Sequence, residues 1–239
     1  MTKRLENKVA VVIGAGQQPG DTLGNGRATA MLFAREGAEM ILVDRNFESA
    51  RETQNIIERE GGWGFSIEAD ITRIEDCENI VKQCMESRGR IDALVYNVGT
   101  GEGRGSIDLP VKNWDTIFNV NLNGAFYLYK FVLPVMEEQG SGSIVNISSV
   151  AAISNTNMLA YKSSKAALNA FTQTIAMMYA GKGVRVNAIM PGLIDTPMAI
   201  EGLSVALKMS KDELRSRRNK RVPLKGGMGE AWDVAYAAL

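Results

Sequence analysis

Six short apolar runs, rich in β-branched residues, mark the chain, and each of the first five gives way to a longer stretch with helical apolar spacing. That alternation limits the fold more than any other property of the sequence. Lys8–Ile13 leads into residues 25–36, Met40–Val43 into 47–60, Phe65–Ala69 into 73–88, and Ile91–Tyr96 into Val111–Glu138. Ser143–Ile147 leads into 157–180, and Val184–Met190 halts at Pro191-Gly192. Pro134 is expected to bend or end the Val111–Glu138 helix near its last turn. Strands apolar on both faces belong inside a parallel sheet. Parallel neighbours must be joined by crossovers, and those are right-handed. The economical arrangement is one α/β domain over residues 1–239, a doubly wound Rossmann-type sheet of order 3-2-1-4-5-6 with helices on both faces.

With 45% hydrophobic and 23% charged residues, the chain can bury a sizeable core, which excludes wholesale disorder. Lys+Arg and Asp+Glu both number 27, so no basic excess draws it to nucleic acid or to an anionic membrane. Histidine is absent, which removes every Ser-His, Cys-His and His-ligated metal scheme, and no metal site is expected. Cys77 and Cys84 lie seven apart on one predicted helix. Two helical turns separate their Cα atoms by roughly 10 Å, too far for a mutual disulfide. Reduced thiols, an N-terminal segment without an apolar signal region and no long apolar run lead to the expectation of a soluble, cytoplasmic protein.

Ligands of such a sheet bind beyond the carboxyl ends of the strands, where the strand order reverses. Gly14-Ala15-Gly16 follows the first strand and Gly24-Asn25-Gly26 opens the next helix. Glycines let backbone N–H groups approach a pyrophosphate, and the helix N-terminus adds partial positive charge. Such turns also join strands to helices for purely conformational reasons. Asp44 closes the second strand 18 positions after Gly26. A carboxylate there accepts the adenosine ribose hydroxyls and repels a 2′-phosphate, so NAD is expected over NADP. Arg45 beside it would suit that phosphate instead. Asp70 follows the third strand, where it either meets the adenine amino group or caps the helix beginning near residue 73, and Ile71 beside it is expected to line the dinucleotide site.

Tyr161 and Lys165 stand four apart on a predicted helix, which puts phenol and ammonium on one face. A nearby cation stabilises phenolate and lowers a tyrosine pKa from its usual value of about 10. Such a phenol takes a proton from an alcohol or returns one to a carbonyl. Ser148-Ser149 ends the fifth strand, from which a hydroxyl can hold the substrate oxygen. Taken alone, the Tyr–Lys pair reads more readily as an ordinary surface pair, since that spacing often arises by chance.

Taken together, these motifs resemble the short-chain dehydrogenase/reductase family in its main branch, from about Lys8 to the C-terminus. Gly14 with Gly24-Asn25-Gly26 is similar to the family's glycine motif, and Asn97-Val98-Gly99 stands where the family has Asn-Ala-Gly. Asn121 matches the helix asparagine that holds a water in the proton relay, and Ser149 matches the catalytic serine. Tyr161 and Lys165 match the Tyr-x-x-x-Lys pair. Pro191-Gly192, with Ile194 and Thr196, matches the segment around the nicotinamide carboxamide. The resemblance implies an NAD(P)-dependent oxidoreductase that interconverts a secondary alcohol and a ketone by hydride transfer. In it Tyr161 is the general acid/base, Lys165 lowers the Tyr161 pKa and bonds the nicotinamide ribose, Ser149 polarises the substrate oxygen, and Asn121 sustains a water chain.

Four departures accompany the resemblance. Ile13 stands where the family starts its glycine motif with Thr, and Gly14 and Gly24 are ten apart where four is usual. The extra residues, through Leu23, are expected to form a larger loop above the pyrophosphate with Asp21 turned to solvent. Ser149 and Tyr161 are twelve apart, one fewer than the family spacing, which leaves Ser148 as a substitute. The sequence ends in a predicted helix, Trp232–Leu239, where the family continues into a seventh strand.

Substrate loops are expected at about 99–107, 150–158 and 192–225. Ile153, Met158, Leu193, Met198, Ile200 and Leu203 either make an apolar pocket there or are ordinary packing. Glu102 and Arg104 either meet a polar substrate or face solvent. The basic cluster from Lys208 through Lys211 and Arg215 to Arg221 either attracts an anionic substrate or is a solvated helix face. Phe118, Leu122, Phe126, Tyr129 and Leu133, widened by Ala125, Leu128 and Val132, make a helix apolar on two sides. With the family's pairing habit this implies a homodimer or homotetramer. A small-molecule alcohol or ketone is the expected partner. An NADP-dependent carbonyl reductase, a non-catalytic dinucleotide-binding scaffold or sensor, and a methyltransferase with a related sheet are the alternatives.

Overall fold

The computed structural model describes residues 3–101 and 107–239. Among them one parallel sheet runs in the order β3-β2-β1-β4-β5-β6, as the alternation predicts. Its strands are β1 (Val9–Ile13), β2 (Glu39–Asp44), β3 (Trp63–Glu68), β4 (Ala93–Tyr96), β5 (Gly142–Ile147) and β6 (Val184–Ile189). Central β1 sits between β2 and β4, with Val11 opposite both Ile41 and Leu94. Successive side chains of a strand point to opposite faces. Val9, Val11 and Ile13 accordingly join one core with Ile80, Leu128 and Leu168. Ala10 and Val12 join a second core with Phe33, Leu42 and Ile57 on the other face. Each fully buried Ile or Leu side chain stabilises the fold by roughly 1.5–3 kcal/mol, so the two-sided packing of β1 anchors the sheet at the point where its order reverses.

The first core is covered by α3 (Ile74–Arg88), α5 (Gly124–Gln139) and α6 (Leu159–Tyr179). The second is covered by α1 (Asn25–Arg35), α2 (Phe47–Arg59) and α9 (Ala231–Ala238). Cys77 and Cys84 are free and buried on α3, and burial pushes both thiols up to about 12, which leaves them unreactive. No helix among the described residues is long and apolar enough to cross a membrane.

Three expectations need correction. The Val111–Glu138 helix is not uniform: α4 (Val111–Phe118) passes through one π turn, Asn119–Asn123, into α5. Of the two outcomes expected at Pro134, a bend or an end, the end is not met: α5 continues to Gln139. Burial of Leu133 and Met136 against the sheet outweighs the hydrogen bond lost at the proline. Third, the region read as a substrate loop at 192–225 contains α7 (Pro197–Leu207) and α8 (Lys211–Asn219). Leu214 of α8 and Ile200 of α7 are buried, which supplies the apolar face that short helices need to persist. Strand limits also shift, most at β3, which begins two residues before Phe65. On α5, Leu128, Tyr129, Val132 and Leu133 are buried within the chain, while Phe126 is half exposed.

Candidate active site

The glycine turn begins with Gly14, held at φ +79°, a left-handed conformation that side-chain-bearing residues rarely adopt. Its N–H and that of Ala15 both donate to the Val43 carbonyl, at 2.8 and 3.0 Å. The chain then enters α1 at Gly24, which offers no side-chain cap to the helix N–H groups. Asn97 braces the turn from β4: its Nδ2 donates to the Gly14 carbonyl at 3.1 Å and its backbone N–H to Ile13 at 3.0 Å. The enlarged loop is closed at its neck by Gln17. The Gln17 Oε1 accepts the Gly24 N–H at 2.9 Å, and Ser49 Oγ accepts the Gln17 N–H at 2.8 Å. The extra residues are thus looped out while Gly24-Asn25-Gly26 keeps its place at the head of α1. Asp21 faces solvent as expected, 61% exposed and paired with Lys211 at 3.0 Å.

Asp44 points back at this turn, with one carboxylate oxygen accepting from Gly16 N–H and the other from Asn46 N–H, each at 3.0 Å. Arg45 is exposed and lines a hollow of about 520 Å³ with Glu68, Ala69, Asp70, Arg73 and Asp76 at the ends of β2 and β3. Asp70 closes the turn before α3 by accepting from the Thr72 N–H and hydroxyl, at 2.9 and 2.7 Å. It does not cap the helix, whose N-cap residue is Arg73. The side chain of Ile71 is buried and lies against Gly124 at the start of α5.

Beneath the turn lies a buried group that sequence reasoning missed. Arg27 on α1 donates to Thr53 Oγ1 at 2.9 Å and to the Ser49 carbonyl at 3.1 Å, and Thr53 in turn donates to the Ala15 carbonyl at 2.8 Å. The available signal was a lone arginine on the otherwise small, apolar buried face of α1. A dinucleotide fits this cradle on the chain's own terms. Beside α1's uncapped N-terminus, the side-chain oxygens Thr22 Oγ1 and Asn25 Oδ1 are buried without a hydrogen-bond partner.

The second cluster forms where β4, the π turn, β5 and α6 meet. Tyr161 and Lys165 lie on successive turns of α6. The Lys165 Nζ donates to the Ile147 carbonyl at 2.8 Å and stands 6.0 Å from the centre of the Tyr161 ring. Ser149 leaves β5 in an extended conformation, its Oγ accepting the Ala151 N–H at 3.1 Å, and its hydroxyl lies near enough to the Tyr161 phenol to favour the phenolate. Ser148 turns the other way, donating to the Lys165 backbone carbonyl at 3.2 Å. The hydroxyl beside the phenol therefore belongs to Ser149. Asn121 is fully buried in the π turn, with Oδ1 accepting the Thr100 N–H at 2.8 Å and Nδ2 donating to the Thr100 carbonyl and to Ser164 Oγ, both at 3.0 Å. Gly99 is the point of close approach: a Cβ there would stand 3.2 Å from Lys165 Nζ and 3.4 Å from Asn121 Oδ1. The Pro191 carbonyl accepts the Val150 N–H at 3.0 Å, bringing the 191–196 segment beside Ser149. That segment continues through Gly192 and Ile194 to Thr196, the buried N-cap residue of α7. Glu102 and Arg104 lie outside the described residues, as does most of the loop at 99–107.

The expected direction of the Tyr161 shift is overturned. Burial pushes the phenol above the usual tyrosine range, and the Ser149 hydrogen bond offsets only part of that. Burial likewise pushes the Lys165 ammonium down, from 10.5 to about 8. Four-residue spacing tells that a cation is near, but not how much water the fold removes from both groups. Below pH 8 the lysine is charged both folded and unfolded, and the fold bears the full cost of burying it. Between about 8 and 10.5 the folded lysine is neutral while the unfolded one still binds a proton, so that cost fades as pH rises. Unfolding in urea should accordingly show wild type gaining on Lys165→Met across this window, by on the order of 3 kcal/mol. A difference independent of pH would contradict the buried ammonium.

The fold and the two clusters are those of a dinucleotide-dependent oxidoreductase. A model of the short chain dehydrogenase family matches residues 8–204. The chain is 36% identical over 241 residues to the 7alpha-hydroxysteroid dehydrogenase of Clostridium sardiniense, covering 99% of this chain and 87% of that protein. It is 35% identical over 237 residues to the 3-oxoacyl-(acyl-carrier-protein) reductase FabG of Thermotoga maritima, covering 99% and 90%. Among solved structures, a 7 alpha-hydroxysteroid dehydrogenase complexed with NADH and 7-oxo glycochenodeoxycholic acid superposes with a TM-score of 0.86 at 31% identity, covering 99% and 88%. The chain belongs to the short-chain dehydrogenase/reductase family. It is an oxidoreductase acting on CH–OH groups with NAD(P).

Proposed function

We propose that the protein interconverts a secondary alcohol and a ketone by hydride transfer, with Tyr161 as general acid/base and NAD as the preferred dinucleotide. The observation that carries this reading is the gathering of Ser149, Tyr161 and Lys165 where β5 meets α6, with Lys165 Nζ and Asn121 Oδ1 both approaching Gly99. When bound, the nicotinamide supplies or accepts the hydride. Tyr161 moves the proton at the substrate oxygen, and Ser149 hydrogen-bonds that oxygen to hold it within reach of the phenol. A raised phenol pKa keeps Tyr161 protonated at neutral pH, which suits it to donate to a carbonyl. Oxidation of an alcohol needs the phenolate and gains as pH rises. Lys165 gives one N–H to Ile147 and keeps two for a ribose hydroxyl and a water. The Asn121 side chain is engaged on both ends by Thr100 and Ser164. Its share in a proton path therefore falls to its main-chain carbonyl, in a π turn of the kind often found at functional sites.

Asp44 supports NAD, because its carboxylate is held facing the glycine turn at the end of β2. Exposed Arg45, beside Arg73, supports the alternative of NADP. A panel of secondary alcohols and ketones followed by nicotinamide absorbance with both dinucleotides tests the reading. Turnover with NAD is expected. Asp44→Ala should lower the NAD-to-NADP affinity ratio by about tenfold or more, since it removes hydrogen bonds to a charged acceptor. Dinucleotide binding with no turnover across the panel would favour a non-catalytic scaffold, and a wild-type preference for NADP would overturn the assignment to Asp44.

A further inference from the structure

Residues 197–228 form an excursion that leaves and rejoins the body at one place. The Gly229 N–H donates to the Leu193 carbonyl at 3.0 Å, the Asp195 N–H donates to the Gly229 carbonyl at 2.9 Å, and Ile194 pairs with Gly229. Beyond this short bridge α7 and α8 make a flap whose hinge is the segment that follows Pro191-Gly192.

The flap is held at a second place, and the residues that hold it come from the enlarged glycine loop. Lys211, in the first turn of α8, reaches Asp21 Oδ2 at 3.0 Å and Glu201 Oε2 of α7 at 2.8 Å. The other oxygen of Glu201 accepts the Asp21 N–H at 3.3 Å. Gly20 lies so close to α7 that a Cβ on it would stand 2.9 Å from the Pro197 side chain. One turn further along α8, Arg215 pairs with Asp195 in the hinge segment at 2.9 Å. Lys211 and Arg215 thus share a face of α8 and tie it to both ends of the cleft. The six residues by which the Gly14–Gly24 interval exceeds its usual span include Asp21, so the insertion is what reaches the flap.

We propose that the enlarged glycine loop is a latch, in which Asp21, Glu201 and Lys211 hold α7 and α8 against the glycine turn and set how fast the dinucleotide leaves. The inference rests on the reading that a dinucleotide occupies this cleft. Two physical features suit a latch rather than a permanent staple. The side chains of Asp21, Lys211 and Glu201 are 61%, 38% and 23% exposed, and pairs so open to water are individually weak and screened by salt. The pairing with Lys211 also draws the Asp21 carboxylate toward α8, where the ammonium offsets part of the negative charge that Asp21 and Glu201 bring to this end of the cleft.

The test is the release rate of NADH, read by stopped-flow fluorescence during displacement by excess NAD, at low and high salt. Wild type, Asp21→Asn and Lys211→Met are compared, with circular dichroism to confirm that each is folded. Both variants should release NADH about threefold to tenfold faster than wild type at low salt and respond less to added salt. Combining the two substitutions should add nothing beyond Lys211→Met alone, because that change already removes the pairing with Asp21. Release rates and salt responses equal to wild type would overturn the latch while leaving the cleft assignment standing. Failure of the wild type to bind NADH in an equilibrium titration would instead overturn the cleft assignment, and the latch with it.

Discussion

Tyr161→Phe should lower kcat by about 10²–10⁴ while leaving dinucleotide affinity unchanged, because it removes one oxygen and keeps the ring. The ring itself packs beside Gly101, where a Cβ would stand 3.4 Å from it, and phenylalanine fills that space equally well. What disappears is the hydroxyl near Ser149, the group to which the proposed mechanism assigns the proton exchange with the substrate oxygen. Turnover is read by nicotinamide absorbance and binding by fluorescence titration on the same preparation. Wild-type turnover in the phenylalanine protein would reject the role given to Tyr161. Loss of binding together with turnover would show that the ring's packing had been disturbed, and the effect could not then be assigned to the proton.

Gly26→Ala should damage the protein from the opposite end of the cleft. An added Cβ would collide with the Gly14 carbonyl oxygen and come within 2.6 Å of Asn97 Nδ2. Neither obstacle can move freely. Gly14 is fixed in its left-handed turn by bonds to Val43, and Asn97 is fixed to that same carbonyl. Overpacking of a close-packed site costs about 1–3 kcal/mol and occasionally more. A collision with backbone puts this case at the upper end, about 3 kcal/mol, as measured by urea unfolding. Dinucleotide affinity should fall by more than about tenfold as α1 is pushed away from the turn. Wild-type stability and affinity in this variant would mean that α1 does not cross the turn so closely.

The sheet order was legible because each strand is a short run apolar on both faces, and few topologies join such strands by helices. The places of Asp44 and Ser149 at strand ends followed from the same runs. The π turn around Asn121 was not legible, since apolar spacing across 111–138 tolerates one extra residue in a helical turn without losing its periodicity. Helix α7 lay inside the stretch assigned to a substrate loop, and α8 was visible only as the alternative of a solvated helix face for the basic cluster. Arg27 was overlooked because a charged residue on a helix is ordinarily solvated, whereas here four acceptors, including Thr53 and Glu52, take its donors. The latch joins Asp21 to a lysine 190 residues away, a pairing no local pattern encodes. The Tyr161 shift was misjudged for a different reason. Spacing reveals the neighbouring charge, while burial, which dominates, is a property of the whole fold.

The central claim is that Tyr161 is the group that gains and loses the proton. Its most direct test is the pH dependence of kcat/KM for alcohol oxidation in wild type and in Tyr161→Phe, with dinucleotide saturating. Wild-type activity should rise tenfold per pH unit on its acid side and level off where the phenol ionises, and the residual activity of Tyr161→Phe should show no such rise. The same rise surviving in the phenylalanine protein would place the proton acceptor on another residue.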